Sequence, residues 1–324
     1  MKKLVKASVS AALSLGMACT AVADTAWPSK PINLVVPFGA GSSPDIMSRI
    51  VAEEAGKTLK QSIVVQNKPG ASGNLGTDVI AKSKPDGYTF GVSITGPMVN
   101  NVALYKNLPY NPEKDLTPLT LGVHQYNVLV VPASSPIKTL ADLVDASKKP
   151  DAKLNFPSTG AGTVSHLAVE LLLDRVGGKA VHVPYKSSPD AVTSLVSGDT
   201  QFAALPPVAV VPMITDGRLR PIAAVAAKRL DFLPNVPTVA ELGYPGVEGS
   251  GWIGFVAPAG LAPEIRTKLN AALVGALRSP EVTQRLKTMN MEAAPTTPEG
   301  FAQYMSEERQ RWLPLIKRLG ISEN

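Results

Sequence analysis

Short apolar runs that are followed by amphipathic segments make up much of the chain, and the first such unit lies at residues 32–59. The run at residues 32–36 is typical of a strand that is buried on both faces of a sheet. Small residues at 39–41 allow the backbone to turn sharply. Ser43 is a suitable N-cap and Pro44 a suitable first helical residue. The pattern therefore predicts a strand, a tight loop and a helix.

The same unit recurs at residues 153–178. A strand through Phe156 leads into a loop at residues 158–162, Thr163 is the predicted N-cap of the next helix, and two glycines at 177–178 end that helix. Free backbone amides at a helix start can bind a carboxylate or a phosphate without any cationic side chain. One such loop alone would be explained by packing. Its repetition predicts two loops that face one ligand.

The rest of the chain continues the alternation of strands and helices. Further strands are predicted at residues 63–65, 88–94, 127–131, 181–183, 202–205, 220–226 and 252–258, and further helices near 75, at 139–147, from 189, at 208–214 and from 263 onward. This order predicts an α/β protein with a parallel or mixed sheet that is covered by helices. Ser72, Gly73 and Thr95 follow predicted strands and are candidates for ligand contact, although structural turns explain them equally well.

Two of these strands are interpreted as crossings between two lobes. The strand at 127–131 leads the chain into a second lobe, and the strand at 252–258 returns it to the first. The first lobe is therefore predicted to be discontinuous, with residues 24–125 and 248–324, and the second to contain residues 126–247. Two crossings make a hinge, and a hinge lets two lobes close around a ligand.

The first 23 residues have the features of a secretory signal peptide. Three lysines precede an apolar middle, and Ala21-Val22-Ala23 precedes Asp24, so cleavage is predicted after Ala23 and the mature protein is predicted to be periplasmic. Processing as a lipoprotein at Cys19 is the alternative. Cys19 is the only cysteine, so the mature chain would have no internal disulfide.

Charge and hydropathy exclude two classes of partner. The formal net charge of +6 includes the three lysines of the leader. The small excess that remains argues against nucleic-acid binding. No later apolar run approaches the roughly 20 residues that a membrane-spanning helix needs.

The sequence contains few features of a catalytic site. The sequence has no Gly-x-Ser-x-Gly motif, and the mature chain has no thiol nucleophile. His124, His166 and His182 lack metal-site spacing, and the glycine loop at 160–162 lacks the third glycine of a dinucleotide site. We therefore predict a receptor that has no metal and no cofactor. The alternative is a secreted hydrolase or lyase with Asp45 or His166 as general acid or base.

Several motifs, taken in their order and spacing, resemble one protein family. They are WPSKPINLVVPF, NKPGASGNLGTD, KPDGYTF, STGAGTVSHLA, VHVPYKSSPDA, DGRLRPIA and WIGFVAPAG, from Trp27 nearly to the C-terminus. The chain resembles the Bug family of periplasmic solute-binding proteins, the receptors of tripartite tricarboxylate transporters. The resemblance implies a type II periplasmic-binding-protein fold with two lobes joined by two crossing strands. It also implies a carboxylate ligand that is delivered to the membrane subunits of a transporter.

The resemblance assigns the ligand to two facing loops, residues 38–45 and 158–163, with backbone donors and ordered water around one carboxylate. The candidate ligand-binding residues are Phe38, Gly39, Ala40, Gly41, Ser42, Ser43, Asp45, Ser72, Gly73, Thr95, Ser158, Thr159, Gly160, Ala161, Gly162, Thr163 and Leu205.

Two of these positions depart from the family pattern. Ser42 stands where relatives usually have a second glycine, and Leu205 stands where many carry an acid. An acid could hold an ammonium group, so its loss favours a dicarboxylate or an aromatic carboxylate without an amine. A monomer is expected. A receptor that signals to a membrane sensor remains the alternative to transport.

Overall fold

A computed structural model describes residues 27–247 and 249–323. The predicted signal peptide, with Cys19 and the cleavage site after Ala23, lies outside the described residues. The strands are β1 (Ile32–Val36), β2 (Ile63–Asn67), β3 (Thr89–Ile94), β4 (Leu116–Pro132), β5 (Asn155–Ser158), β6 (Val181–Pro184), β7 (Ala203–Leu205), β8 (Leu219–Val225), β9 (Ser250–Pro258) and β10 (Glu292–Ala293).

Helices follow most of the strands, as the hydrophobic pattern predicts. They are α1 (Ser43–Leu59), α2 (Asn74–Ala81), α3 (Asn101–Leu104), α4 (Leu140–Ser147), α5 (Val164–Val176), α6 (Ser188–Ser197), α7 (Pro207–Thr215), α8 (Pro263–Arg278), α9 (Pro280–Thr288) and α10 (Pro298–Leu319). A 3₁₀ turn (Ala71–Gly73) precedes α2, and a π-helical turn (Gly96–Asn100) precedes α3. Within the described ranges, no helix combines the length and the apolar character that crossing a membrane requires.

The long strand β4 connects two halves of the molecule. The main sheet has the order β10-β4-β9-β3-β1-β2, with β1 parallel to both β2 and β3. The first part of β4 pairs with β9, and its last part pairs with β7 and β8. Strands β5 and β6 form a separate parallel pair. The chain therefore enters the second half along β4 and returns along β9, as predicted for the two crossings.

Each half has its own apolar core. In the first, Leu34 of β1 and Met47 of α1 belong to one buried cluster with Phe255 of β9. In the second, Phe156 of β5 and Phe202 lie in another cluster, which packs under α5. The apolar positions of period 2 and period 3.6 coincide with these cores, so the local pattern places most of the elements. Residues 116–126 of β4 and strand β10 were not predicted.

The helix starts correct one detail of the sequence interpretation. Ser42, with φ −74° and ψ 160°, is the N-cap of α1, so the predicted cap at Ser43 is wrong by one residue. Adjacent serines are equally good caps, and the first helical bond, from the amide of Ile46 to the carbonyl of Ser42, decides between them. Thr163 is the N-cap of α5, as predicted.

Candidate functional site

A cleft of about 200 Å³ lies between the two halves at the ends of β1 and β5. The carboxyl ends of the parallel strands β1 and β3 meet at one edge of the sheet, which is where open α/β sheets bind ligands. The lining residues are Pro37, Phe38, Gly70, Ala71, Ser72, Gly73, Thr159, Gly160, Pro184, Tyr185 and Lys186. The cleft is therefore lined by loops from both halves.

The first loop is held by its own side chains. Gly41 has a φ of +76°, which favours glycine, and its amide donates to Asp45 Oδ2 at 2.9 Å. The Ser42 hydroxyl donates to the carbonyl oxygen of Gly39 at 2.6 Å. The amides of Ala40 and Ser43 have no acceptor within the described residues. These amides remain available to an anion at the helix start.

The second loop has the same construction. Gly162 has a φ of +77°, and its amide donates to His166 Nδ1 at 3.1 Å. The Thr163 hydroxyl donates to the carbonyl oxygen of Gly160 at 2.6 Å. The amides of Ala161 and Val164 also lack an acceptor among the residues that the structure describes. Two helix starts of similar geometry thus follow the two loops that contribute residues to the cleft.

The carboxylate of Asp45 holds the first loop in place through the hydrogen bonds that it accepts. Besides the Gly41 amide, the carboxylate accepts from Arg49 Nε at 3.0 Å and from Asn67 Nδ2 at 2.9 Å. Burial raises the pKa of Asp45, but the hydrogen bonds from Arg49, Gly41 and Asn67 outweigh burial, and the pKa lies below its usual value. Both oxygens are engaged, so the structure gives Asp45 a positioning role. Direct ligand contact by Asp45 stays a prediction.

Two histidines support the second loop. The rings of His166 and His182 stack with 3.8 Å between centroids and 13° between planes. His182 Nε2 lies 2.6 Å from the hydroxyl of Ser158, which also accepts from the Gly160 amide at 3.0 Å. Burial, followed by the neighbouring His166, lowers the pKa of His182 to about 3. His182 is therefore neutral near pH 7, and its Nε2 shares a hydrogen bond with the Ser158 hydroxyl.

The two halves touch across the cleft at glycines. Asn100 Nδ2 donates to the carbonyl oxygen of Gly162 at 2.7 Å. A Cβ atom on Gly160 would lie 2.8 Å from Cβ and Oγ of Ser72. Ala71 and Ser72 have φ values of 45° and 56°, which non-glycine residues rarely adopt. Strained backbone of this kind is concentrated at ligand-binding segments, so it supports a functional role for this turn.

Five of the predicted site residues line the cleft, and the ligand contacts of all of them stay predictions. Phe38, Ser72, Gly73, Thr159 and Gly160 line it directly. The others in the two loops are Gly39, Ala40, Gly41, Ser42, Ser43, Asp45, Ser158, Ala161, Gly162 and Thr163, which form the two helix starts described above.

Three predicted residues and one missed residue differ from this pattern. The hydroxyls of Ser43 and Thr95 are buried and have no hydrogen-bond partner in the described part of the chain. Leu205 is fully buried with Val128 and Val210 and is not among the cleft-lining residues. Asn100 was not predicted, because nothing in its local sequence indicates that its side chain reaches the second loop.

A larger cavity of about 610 Å³ lies beside β4 and β10, where His124, Met291 and Glu292 are among its lining residues. It shares no residue with the cleft and contains none of the helix starts. No group of three or more His, Cys, Asp or Glu side chains in residues 27–247 and 249–323 is placed to hold a metal ion. The smaller cleft takes Phe38 from the first loop and Thr159 and Gly160 from the second, so it is favoured as the ligand site.

The chain has relatives over most of its length. A family model described as tripartite tricarboxylate transporter family receptor matches residues 47–321. The fold is similar to that of the periplasmic binding protein BugD, with a TM-score of 0.87 and 30% identity over 92% of this chain and 100% of BugD.

Two further structures similar to this chain contain small carboxylates. Rpa4515 of R. palustris with adipate has a TM-score of 0.88 and 32% identity, with 91% of this chain and 99% of that chain covered. MatC of Rhodopseudomonas palustris with bound malate has a TM-score of 0.85 and 31% identity, with 90% and 100% covered.

Proposed function

Because the chain belongs to the tripartite tricarboxylate transporter family of periplasmic solute-binding receptors, we propose that it captures a small carboxylate between its two lobes. Its fold is the two-lobed α/β fold of the Bug-type periplasmic binding proteins. The proteins of this family are receptors and not enzymes, so Asp45 and His166 are not a general acid and base. Both side chains instead accept hydrogen bonds from loop amides.

The observation that carries the proposal is the pair of helix starts with matched geometry. In each loop, one glycine amide donates a hydrogen bond to a side chain, and one hydroxyl donates to a carbonyl oxygen. Two further amides have no acceptor among the described residues. An anionic group placed at either loop gains these donors and the favourable end of a helix dipole. A ligand with two such groups would engage both loops.

The ligand is proposed to be a dicarboxylate or an aromatic carboxylate without an amine. None of the residues that line the cleft is acidic, and the nearby Asp45 is paired with Arg49 at 2.9 Å. An ammonium group would therefore be desolvated without a carboxylate partner, which is costly. Adipate and malate, which accompany two similar structures, are both amine-free dicarboxylates. The volume of about 200 Å³ suits molecules of that size.

The backbone amides of the two loops are neutral donors, which suits a receptor that must release its ligand, and Lys186 is the cationic residue among those that line the cleft. A guanidinium group aimed into the cleft would bind a carboxylate more strongly, but it would be left without a partner when the cleft empties. Backbone amides at a helix start can be satisfied by water instead. We propose that residues 24–125 with 248–324 and residues 126–247 move as two lobes about β4 and β9. Separation of the lobes by membrane subunits of a tripartite tricarboxylate-type transporter would then free the ligand.

The receptor is proposed to act as a monomer in the periplasm, after removal of a signal peptide at Ala23. Occupancy that is passed to a membrane sensor, with no transporter involved, is the second candidate, since a closed receptor presents the same surface to either partner. Neighbouring genes for a small and a large membrane subunit would favour transport.

Thermal unfolding of residues 24–324 with a panel of mono-, di- and tricarboxylates tests the proposal. A ligand at about 100 times its dissociation constant stabilises the folded state by about 2.7 kcal/mol, which raises the unfolding midpoint measurably. We expect a rise with amine-free carboxylates and none with their amino analogues. Stabilisation by aspartate or glutamate alone would contradict the proposed ligand class. Absence of any response, after bound ligand has been removed by unfolding and refolding, would contradict carboxylate binding.

A further inference from the structure

Lys186 lies shortly after strand β6 and lines the ligand cleft. No other lining residue carries a carboxylate or a cationic group. We propose, on the basis of the function proposed above, that Lys186 binds a second anionic group of the ligand. The receptor would then select dicarboxylates over monocarboxylates, with one carboxylate at the loop amides and the other at this lysine.

The ammonium group of Lys186 has no partner in the described part of the chain. It forms no ion pair and donates no side-chain hydrogen bond to any residue of 27–247 and 249–323. Asp190, the nearest acid in the sequence, accepts from the hydroxyl of Ser187 at 2.6 Å instead. The charge of Lys186 is therefore available to a ligand.

The place of Lys186 in the chain adds to the positive charge at this side of the cleft. Ser187 is the N-cap of α6, so Lys186 directly precedes the end of the helix where the dipole is positive. Asp190 in the first turn of α6 offsets part of this charge. An anionic group of the ligand would offset more of it, and the ammonium group would donate a charge-assisted hydrogen bond to it.

The start of α6 lies against the first ligand loop. A Cβ atom on Gly39 would lie 3.0 Å from Cβ of Ser187 and 3.9 Å from the carbonyl oxygen of Lys186. A Cβ atom on Gly41 would lie 3.7 Å from Cγ of Pro189. Lys186 therefore neighbours the first loop, although it belongs to the other half of the chain. Its four-carbon side chain is flexible, so the ammonium group can reach an anion in a cleft of about 200 Å³.

The exposure of Lys186 is compatible with release of the ligand. Its side chain is exposed, so water can hydrate the ammonium group when the cleft empties. A buried cation would instead be left without a partner. Because the charge stays partly hydrated, its contribution is modest, and we expect a preference for dicarboxylates of about fivefold or more.

Titration calorimetry with matched acids tests the proposal. The dicarboxylates are succinate, glutarate and adipate, and the monocarboxylates are butyrate, pentanoate and hexanoate, which have the same numbers of carbon atoms. Benzoate is added as an aromatic monocarboxylate. We expect the dicarboxylate of the best-bound pair to bind at least about fivefold more tightly than its matched monocarboxylate. Added salt should lower this ratio, because salt screens an exposed cation.

Three variants identify the origin of the preference. Lys186→Gln should bring the ratio close to one and leave the affinity for the monocarboxylate within about twofold, whereas Lys186→Arg keeps the charge and should keep the preference. Lys179→Gln is the matched control, because Lys179 is exposed in the same half, shortly before β6, and does not line the cleft. It should bind as the unaltered chain does.

The outcomes separate this proposal from the proposed function. A preference that persists in Lys186→Gln, or that is lost equally in Lys179→Gln, overturns the role of Lys186. Equal binding of monocarboxylates and dicarboxylates by the unaltered chain, or binding of benzoate alone, also overturns it and leaves carboxylate capture intact. Binding of none of these acids would contradict both.

Discussion

Asp45 and His166 occupy equivalent positions in the two ligand loops, since each side chain accepts a hydrogen bond from the amide of the glycine four residues earlier. The distances are 2.9 Å from the Gly41 amide to Asp45 and 3.1 Å from the Gly162 amide to His166. The two glycines also have nearly equal φ values, +76° and +77°. The two loops thus have the same conformation, with a carboxylate as the acceptor of the glycine amide in the first and an imidazole in the second.

Replacement of Asp45 by alanine should loosen the first loop. The change removes the acceptor for the Gly41 amide, the Arg49 side chain and Asn67 Nδ2. Hydrogen bonds to a charged group contribute about 1.5–3 kcal/mol each in favourable cases, so we expect a loss of about 1–3 kcal/mol in the free energy of unfolding. Urea unfolding measures it, with the exposed Asp151→Ala as control. Equal stability of the two variants would show that Asp45 does not hold the loop.

His182 should make stability depend on pH. Its folded-state pKa of about 3 lies below the value of roughly 6.5 that an unfolded histidine has. The unfolded chain therefore binds more protons between these values, so the contribution of His182 is complete above pH 6.5 and declines as the pH falls toward 3. Between pH 6.5 and 5 the loss is up to about 2 kcal/mol.

Urea unfolding at several pH values, on the unaltered chain and on His182→Gln, checks this dependence. His124, whose pKa is also lowered by burial, contributes equally to both chains and cancels in the difference. The contribution of Asp45 to the free energy of unfolding is lost only at lower pH, where its carboxylate becomes protonated. We expect the free energy of unfolding to depend less on pH in His182→Gln than in the unaltered chain. Parallel profiles for the two chains would mean that His182 is not buried as a neutral ring.

Asn100 should favour closure of the cleft. Its Nδ2 donates across the cleft to the carbonyl oxygen of Gly162 at 2.7 Å, and the side chain is fully buried. Asn100→Ala should destabilise the closed form relative to the open form by about 1 kcal/mol, which corresponds to roughly fivefold weaker ligand binding. Titration calorimetry measures this, with Asn107→Ala at an exposed position as control. Unchanged affinity in Asn100→Ala would show that the contact does not contribute to closure.

The elements of the fold could be predicted because their signals are local. The apolar run at 32–36, the small residues after it and the serine and proline at the helix start lie within one short segment, and the structure confirms strand β1 and helix α1 there. The capping box at Thr139 and Asp142 was equally readable and is present. The glycine loops were recognised from composition, since few other residues permit such turns.

The contacts that join the loops could not be predicted from the sequence. His166 and His182 are far apart in the chain and lack metal-site spacing, so the sequence does not indicate their contact. The parallel pairing of β5 with β6 places His182 opposite Phe156, and its ring stacks on that of His166. The sequence does not indicate the equivalence of Asp45 and His166, because the two side chains differ in charge and share only the ability to accept a hydrogen bond. Strand register and loop packing decide such contacts, and neither has a local signature.

A pair of glycine variants tests whether the two glycine loops close on one carboxylate. An alanine at Gly160 would place Cβ 2.8 Å from Ser72, whereas an alanine at Gly177 would meet no atom within 4 Å. Both glycines have positive φ, at +125° and +66°, so both variants carry backbone strain. Only the first also blocks the approach of the two halves.

The measurement is calorimetric titration of both variants with the carboxylate that most stabilises the unaltered chain. We expect Gly160→Ala to bind at least about tenfold more weakly, and Gly177→Ala to bind as the unaltered chain does. Circular dichroism confirms that both variants are folded before titration. Equal affinity in Gly160→Ala and the unaltered chain would mean that the ligand binds without closure of the two loops on it.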